Sequence, residues 1–215
     1  KGVTMKHFLV STMFVSALAA SAIAAPNPNL HIYFAYGQSN MAGNGEINSA
    51  QDQATPPKNF IMLSAHTANA SSRSGSTNIS VKSGEWAPAV PPLFHAFENL
   101  SPADYCGRAM VDSMPGVTIG IIPVAIGAVS IKAFDKDQYQ AYFSSAANYI
   151  QTWAKDYDSN PYGKMVELGK KAKEVGVIKG FIFHQGESDG TDDNWRRTVY
   201  KTYKDIIDAL DLNEN

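Results

Sequence analysis

The chain has 215 residues, enough for one domain with a core of useful size but not for two full ones. An apolar share of 44% against 18% charged residues excludes wholesale disorder, and a formal net charge of −2 leaves no basic surplus for nucleic acid or an anionic membrane. A single cysteine, Cys106, excludes an intramolecular disulfide and any cysteine-based zinc cage.

The N-terminus reads as a targeting segment. Met5-Lys6-His7 gives a cationic start, Phe8 to Ala20 is apolar except for Ser11, Thr12 and Ser16, and Ala22-Ile23-Ala24 has the small-residue form of a cleavage site. A signal peptide over residues 1–24 is therefore expected, with Lys1 to Thr4 ahead of the start at Met5 and the mature protein secreted after cleavage near Ala24. The alternatives are an uncleaved anchor or a buried helix. The apolar run is short for a membrane span, so no stable membrane association is expected.

Residues 25–215 form the working domain. His31 to Tyr36 is a near-continuous apolar run stopped by Gly37, which suits a strand buried on both faces. A polar stretch over 43–59 leads to a short apolar run, Phe60 to Leu63, and residues 64–84, rich in Ser, Asn, Thr and Ala, read as a long surface loop. Ser101-Pro102 starts a helix that Pro115-Gly116 stops. Val117 to Ala125 is a strand expected to end or bulge near Pro123. Helices follow over 140–153 and 162–175, the second stopped by Gly176. Ile178 to Phe183 is a strand interrupted by Gly180, and Asn194 to Leu210 is a last amphipathic helix. Strands alternating with helices predict an α/β fold, a three-layer doubly wound sandwich on a mostly parallel sheet, with the ligand crevice at the carboxyl ends of the strands.

Three of those ends carry unusual residues. Gly37-Gln38-Ser39-Asn40-Met41-Ala42-Gly43 exposes a serine in a glycine-flanked turn, which suits a nucleophile but is also ordinary turn chemistry. Gly127, in Ala125-Ile126-Gly127-Ala128, lets backbone approach a ligand or simply makes a strand-to-helix turn. His184-Gln185-Gly186-Glu187-Ser188-Asp189 places polar side chains in a row after a buried strand. Capping of the last helix by Asp189, Thr191 or Asp192 explains the aspartates and leaves the rest unexplained.

Together these blocks resemble the SGNH/GDSL-type hydrolases, in the carbohydrate-esterase branch that includes acetylxylan esterases and sialate O-acetylesterase-like proteins. Gly37-Gln38-Ser39-Asn40-Met41 looks like that branch's nucleophile block and His184-Gln185-Gly186-Glu187-Ser188-Asp189 like its third block, with weaker likeness at Trp86-Ala87-Pro88 and over 121–127. The resemblance implies a flavodoxin-like fold with Ser39 as nucleophile. It implies an oxyanion hole from the Ser39 and Gly127 N–H groups and the Gln185 amide, and Glu187 as a carboxylate that assists the catalytic histidine. Two departures stand out. Ala128 replaces a second glycine, and no aspartate is followed by histidine at the third position, where the resemblance would supply acid and base. The expectation is a chain incomplete at its C-terminus, with the base beyond Asn215.

A serine hydroxyl needs a base to take its proton. Of the five histidines, His7 leaves with the signal peptide, His31 starts the first strand far from the site, His95 reads as structural, and His66 lies in the polar loop, free to swing. His184 alone stands at a site-facing strand end, as a substitute base or an orienting residue. No motif calls for a metal or a phosphate-bearing cofactor, and none is expected. Trp86, Trp153 and Trp195 offer sugar-stacking faces, though core packing is the default for each.

The expected function is a secreted serine carbohydrate esterase that removes O-acetyl groups from an acetylated plant polysaccharide or oligosaccharide, acetylxylan foremost. The alternatives are a non-catalytic carbohydrate-binding or inactive truncated esterase scaffold, and an esterase of sialate or short-chain acyl esters.

Overall fold

The protein is described by a computed structural model that covers residues 25–47, 56–71, 78–94 and 98–213. Residues 1–24, where a signal peptide is expected, with His7, and His95 lie outside those residues.

In chain order the elements are β1 (Leu30–Gly37), α1 (Ser39–Ala42), β2 (Phe60–Leu63), β3 (Ala68–Ser71), β4 (Asn78–Val81), β5 (Trp86–Pro88), α2 (Pro102–Ser113), β6 (Thr118–Ala125), α3 (Tyr139–Ser145), α4 (Asn148–Ala154), α5 (Pro161–Lys173), β7 (Val177–His184) and α6 (Trp195–Ala209). The central sheet runs β5-β2-β6-β1-β7, parallel except for β5, which is antiparallel to β2. β1 sits between β6 and β7, which is why its side chains are apolar on both faces. Ile32, Phe34 and Tyr36 point into one core with Ile122, Val124, Met165, Leu168 and Ile206. Ala35 joins the opposite core with Met41, Phe60, Met62, Ala103, Val111 and Ile121. Helices α5 and α6 cover the first face and α1 and α2 the second, giving the expected three-layer doubly wound sandwich.

Sequence signals set several boundaries. Ser101 caps α2 by accepting from the Ala103 N–H at 3.1 Å, and its hydroxyl donates to the Met41 carbonyl at 2.6 Å, tying α2 to α1. Asn160 caps α5 through the Gly163 N–H at 2.8 Å, with Pro161 as first helical residue.

Four local expectations are corrected. Residues 64–84 are not a featureless loop: β3 and β4 pair antiparallel, giving their backbone N–H and C=O groups partners, and Val81 enters the core. His66 is buried there, at 3% exposure, rather than free to swing. The helix expected over 140–153 splits into α3 and α4 around extended Ala146 and Ala147. The Ser144 and Ser145 hydroxyls bond back to carbonyls of their own turn and Gln151 takes the Ala146 carbonyl at 2.8 Å, so the break leaves no acceptor stranded. Finally, β6 continues through Pro123 without interruption. β2 pairs with β6 only as far as Ile121, so the missing N–H of Pro123 removes no bond on that side.

Candidate active site

Strand register places the site. Gly37 pairs with Ala125 on one side and with His184 on the other, so the three following segments emerge together at one end of the sheet. The Gln38 N–H donates to the His184 carbonyl at 3.1 Å and the Ile126 N–H to the Gly37 carbonyl at 3.2 Å, locking the turns to one another. Only glycine fits at 37: φ is +154°, and a Cβ would overlap the His184 carbonyl. Ser39 is thereby presented, half-buried, two residues past the strand, and Gly127 lies two residues past β6 in the same layer. Among the described residues neither the Ser39 nor the Gly127 N–H has an acceptor. Unpartnered backbone donors at a buried turn are what an oxyanion hole requires. Gly127 also makes room for Trp153, whose ring would lie 3.0 Å from a Cβ at that position.

The third segment is fixed by a polar network. The Gln38 side-chain oxygen accepts from the Gly186 and Ser188 N–H groups and from Gln185, each at 3.2 Å. The Gln185 amide donates also to the Val129 carbonyl at 3.2 Å and to Asp189, while its oxygen accepts from the Trp195 indole N–H at 2.7 Å. Two amide hydrogens thus face three protein acceptors, and Gln185 is only 6% exposed. In this geometry Gln185 is a strut between the strand ends, with no hydrogen turned toward an oxyanion. Asp189, 7% exposed, accepts from the Ser130 hydroxyl at 2.5 Å and from the Ile131 N–H at 3.0 Å. It therefore joins the segment after β6 to the segment after β7 and does not cap α6. Asp192 does the local work there, accepting from the Asn194 N–H at 2.9 Å.

Glu187 is exposed and accepts from the Asn40 amide; its carboxylate lies 3.3 Å from His184 Nε2. Asn40 follows Ser39 directly, so the pair lies beside the Ser39 turn. His31 sits at the far end of β1, at the start of its pairing with β6 and β7. His184 closes β7 at this end of the sheet, and His66, buried, lies three residues past the carboxyl end of the parallel strand β2. Gln38, Asp189 and Trp195 were not singled out from the sequence as parts of one cluster. Their signal is weak because the contacts span 147 to 150 positions for Gln38 and its partners, and no local pattern encodes them.

The acidic group Asp135, Asp137 and Asp205 has carboxylates close enough to share a cation. That cation is Lys201, whose Nζ lies 2.7–2.8 Å from all three. No helix among the described residues is long and apolar enough to cross a membrane.

The fold has counterparts among solved structures. A protein from Arabidopsis thaliana superposes with a TM-score of 0.61 at 20% identity, over 86% of this chain and 71% of that one. A carbohydrate acetylesterase from Xanthomonas citri gives 0.54 at 16% identity, over 84% of this chain and 38% of its own length. NanS gives 0.56 at 15% identity, over 87% and 64%. At these identities the likeness concerns the fold. Family membership rests on the sequence itself: residues 29–214 match the family described as carbohydrate esterase, sialic acid-specific acetylesterase, and the chain belongs to that family.

Proposed function

We propose that the protein is a secreted serine esterase that removes O-acetyl groups from carbohydrate, with acetylated xylan as the substrate. The observation that carries this reading is the juxtaposition of a half-buried Ser39 with two acceptor-free N–H groups, its own and that of Gly127. Ser39 Oγ attacks the acetyl carbonyl carbon while a histidine base takes its proton. The two N–H groups hold the resulting oxyanion, the sugar hydroxyl departs with the returned proton, and water then releases acetate from the acyl-enzyme.

Gln185 supports this arrangement from behind, and Glu187 orients His184. Because His184 Nε2 faces the Glu187 carboxylate at 3.3 Å, His184 is assigned an orienting role in this reading rather than that of the base. The test is acetate release from acetylxylan and from an aryl acetate by the protein. Ser39→Ala is expected to abolish both, and unchanged activity in that variant would remove the esterase reading. His184→Ala is expected to cost far less than the factor of about 10²–10⁴ that general-base assistance supplies; a loss of that size would make His184 the base. Secretion is checked by sequencing the N-terminus of exported protein, which should begin near Ala25.

A further inference from the structure

Residues 186–196 enclose a cleft of about 420 Å³ beside the strand-end network, lined by Gly186, Asp189, Asp192, Asp193, Trp195 and Arg196. We propose that this cleft is a binding subsite for an uncharged pyranose ring of the carbohydrate chain that carries the acetyl group, a proposal that rests on the esterase reading above. Four observations lead there.

The cleft adjoins the strand-end network, because Gly186 and Asp189 of its lining belong to the segment that also carries Gln185, and Asp189 bonds the Gln185 amide. Its volume falls within the range of roughly 300–1,000 Å³ typical of small-molecule sites. Its aromatic wall is preorganised: the Trp195 indole N–H is held by the Gln185 oxygen at 2.7 Å, so a sugar face packing on the ring would immobilise nothing further. Gly186, at φ +141°, keeps the backbone flat under that ring, where a Cβ would come within 3.1 Å of it. Finally, the polar groups suit hydroxyls. Asp193 and Arg196 are exposed and make no ion pair or hydrogen bond with another described side chain, leaving an acceptor and a donor for ring hydroxyls. Three carboxylates face one guanidinium in the lining, and Lys132, 3.4 Å from Asp192, offsets one of them. The remaining field is negative. It repels a sugar that bears its own carboxylate, and so favours neutral sugars over sialate.

The experiment is calorimetric titration of the whole protein with xylotetraose, and separately with N-acetylneuraminic acid. Saturable binding of xylotetraose is expected, weakened at least about tenfold in Asp193→Ala and in Trp195→Ala, with N-acetylneuraminic acid binding at least about tenfold more weakly than xylotetraose. Thermal melting establishes that each variant folds. Should Trp195→Ala fail to fold, the exposed Asp193→Ala variant still decides the matter. The proposal is overturned by wild-type affinity in Asp193→Ala, by no binding of xylotetraose to the wild type, or by N-acetylneuraminic acid binding as well as the neutral sugar. Xylotetraose carries no ester, so these outcomes are independent of Ser39. Absence of acetate release with intact sugar binding would instead overturn the esterase reading and leave the subsite standing.

Discussion

Ala128 sits at φ +60°, in the left-handed region, directly after Gly127. An L-residue with a Cβ held there loses roughly 1–2 kcal/mol, while glycine gives up about 0.4–1 kcal/mol through the freedom of the unfolded chain. Ala128→Gly should therefore stabilise the protein by about 0.5–1 kcal/mol, read as a raised melting temperature, and an unchanged or lowered one would count against strain at this turn. The resemblance read from sequence already singled out this position as a departure from a glycine; the backbone angle supplies the physical reason. Asp189 makes a second case. Its carboxylate, buried with the Ser130 hydroxyl, the Ile131 N–H and the Gln185 amide, holds two segments in place, and Asp189→Ala would strand all three donors. A loss of about 2–3 kcal/mol is expected, together with a fall in kcat that Asp189→Asn partly rescues. A purely catalytic role would lower kcat without the loss in melting temperature. Gln185→Ala separates its two roles by the same pair of measurements. A strut loses stability and activity together, whereas an oxyanion donor costs about 10²–10³ in kcat alone.

Helix α6 is joined to the segment before α3 by charge. Lys201 bridges Asp135, Asp137 and Asp205, and Lys136 adds a second contact to Asp205 at 2.7 Å. Burial pushes the Asp135 carboxyl up, but hydrogen bonds from Lys201, the Asp137 N–H and Gln138 outweigh it and hold the group below the usual carboxylate range. Asp205 is likewise lowered, burial being outweighed by Lys136 and Lys201. Folded-state values below the unfolded ones mean that this contribution is complete above about pH 4 and is lost as pH falls through the folded values. Lys201→Met leaves the buried Asp135 without its cation and should cost about 1–3 kcal/mol at neutral pH, toward the lower end because Lys201 is itself partly exposed, with the difference from wild type shrinking in acid. A difference that does not shrink below pH 4 would contradict this account. At this scale the sequence was most legible where an element announces itself locally. Ser101-Pro102 and Asn160-Pro161 mark their helix starts, and the apolar run of β1 marks a strand buried on both faces. It was least legible where tertiary contacts overrode local composition. The polar β3–β4 ribbon forms through cross-strand pairing, and α3 parts from α4 because serine hydroxyls and Gln151 satisfy the interrupted backbone.

Across the whole molecule, the candidate site straddles the interior and the rim of one sheet. Ser39 and Gly127 follow β1 and β6, which are covered on both faces, whereas residues 185–189 follow β7, paired with β1 alone among the described residues. That asymmetry explains the network: without Gln38 and Asp189 the third segment would move with an edge strand. The blocks themselves were readable from sequence, since glycine-flanked serine and polar residues after an apolar strand are local patterns. The cross-links were not, because they join positions far apart in the chain. β7 also carries its own protection against pairing with another copy. The register slips between Ile32 and Tyr33, which face Ile178 and Gly180, so Lys179 is an extra residue in the edge strand and its side chain is exposed. A bulge with an outward lysine twists the edge and charges it, two devices that discourage edge-to-edge association. Lys179→Val keeps the bulge and removes the charge, beside a shallow groove of about 180 Å³ lined by Phe181, Tyr203, Ile207 and Leu212. The variant should therefore self-associate at lower concentration than wild type while melting within about 0.5 kcal/mol of it, since the position is exposed. Sedimentation velocity across a concentration series measures this directly. Identical profiles for the two proteins would show that the bulge alone, and not the charge, keeps the edge of β7 apart from its neighbours.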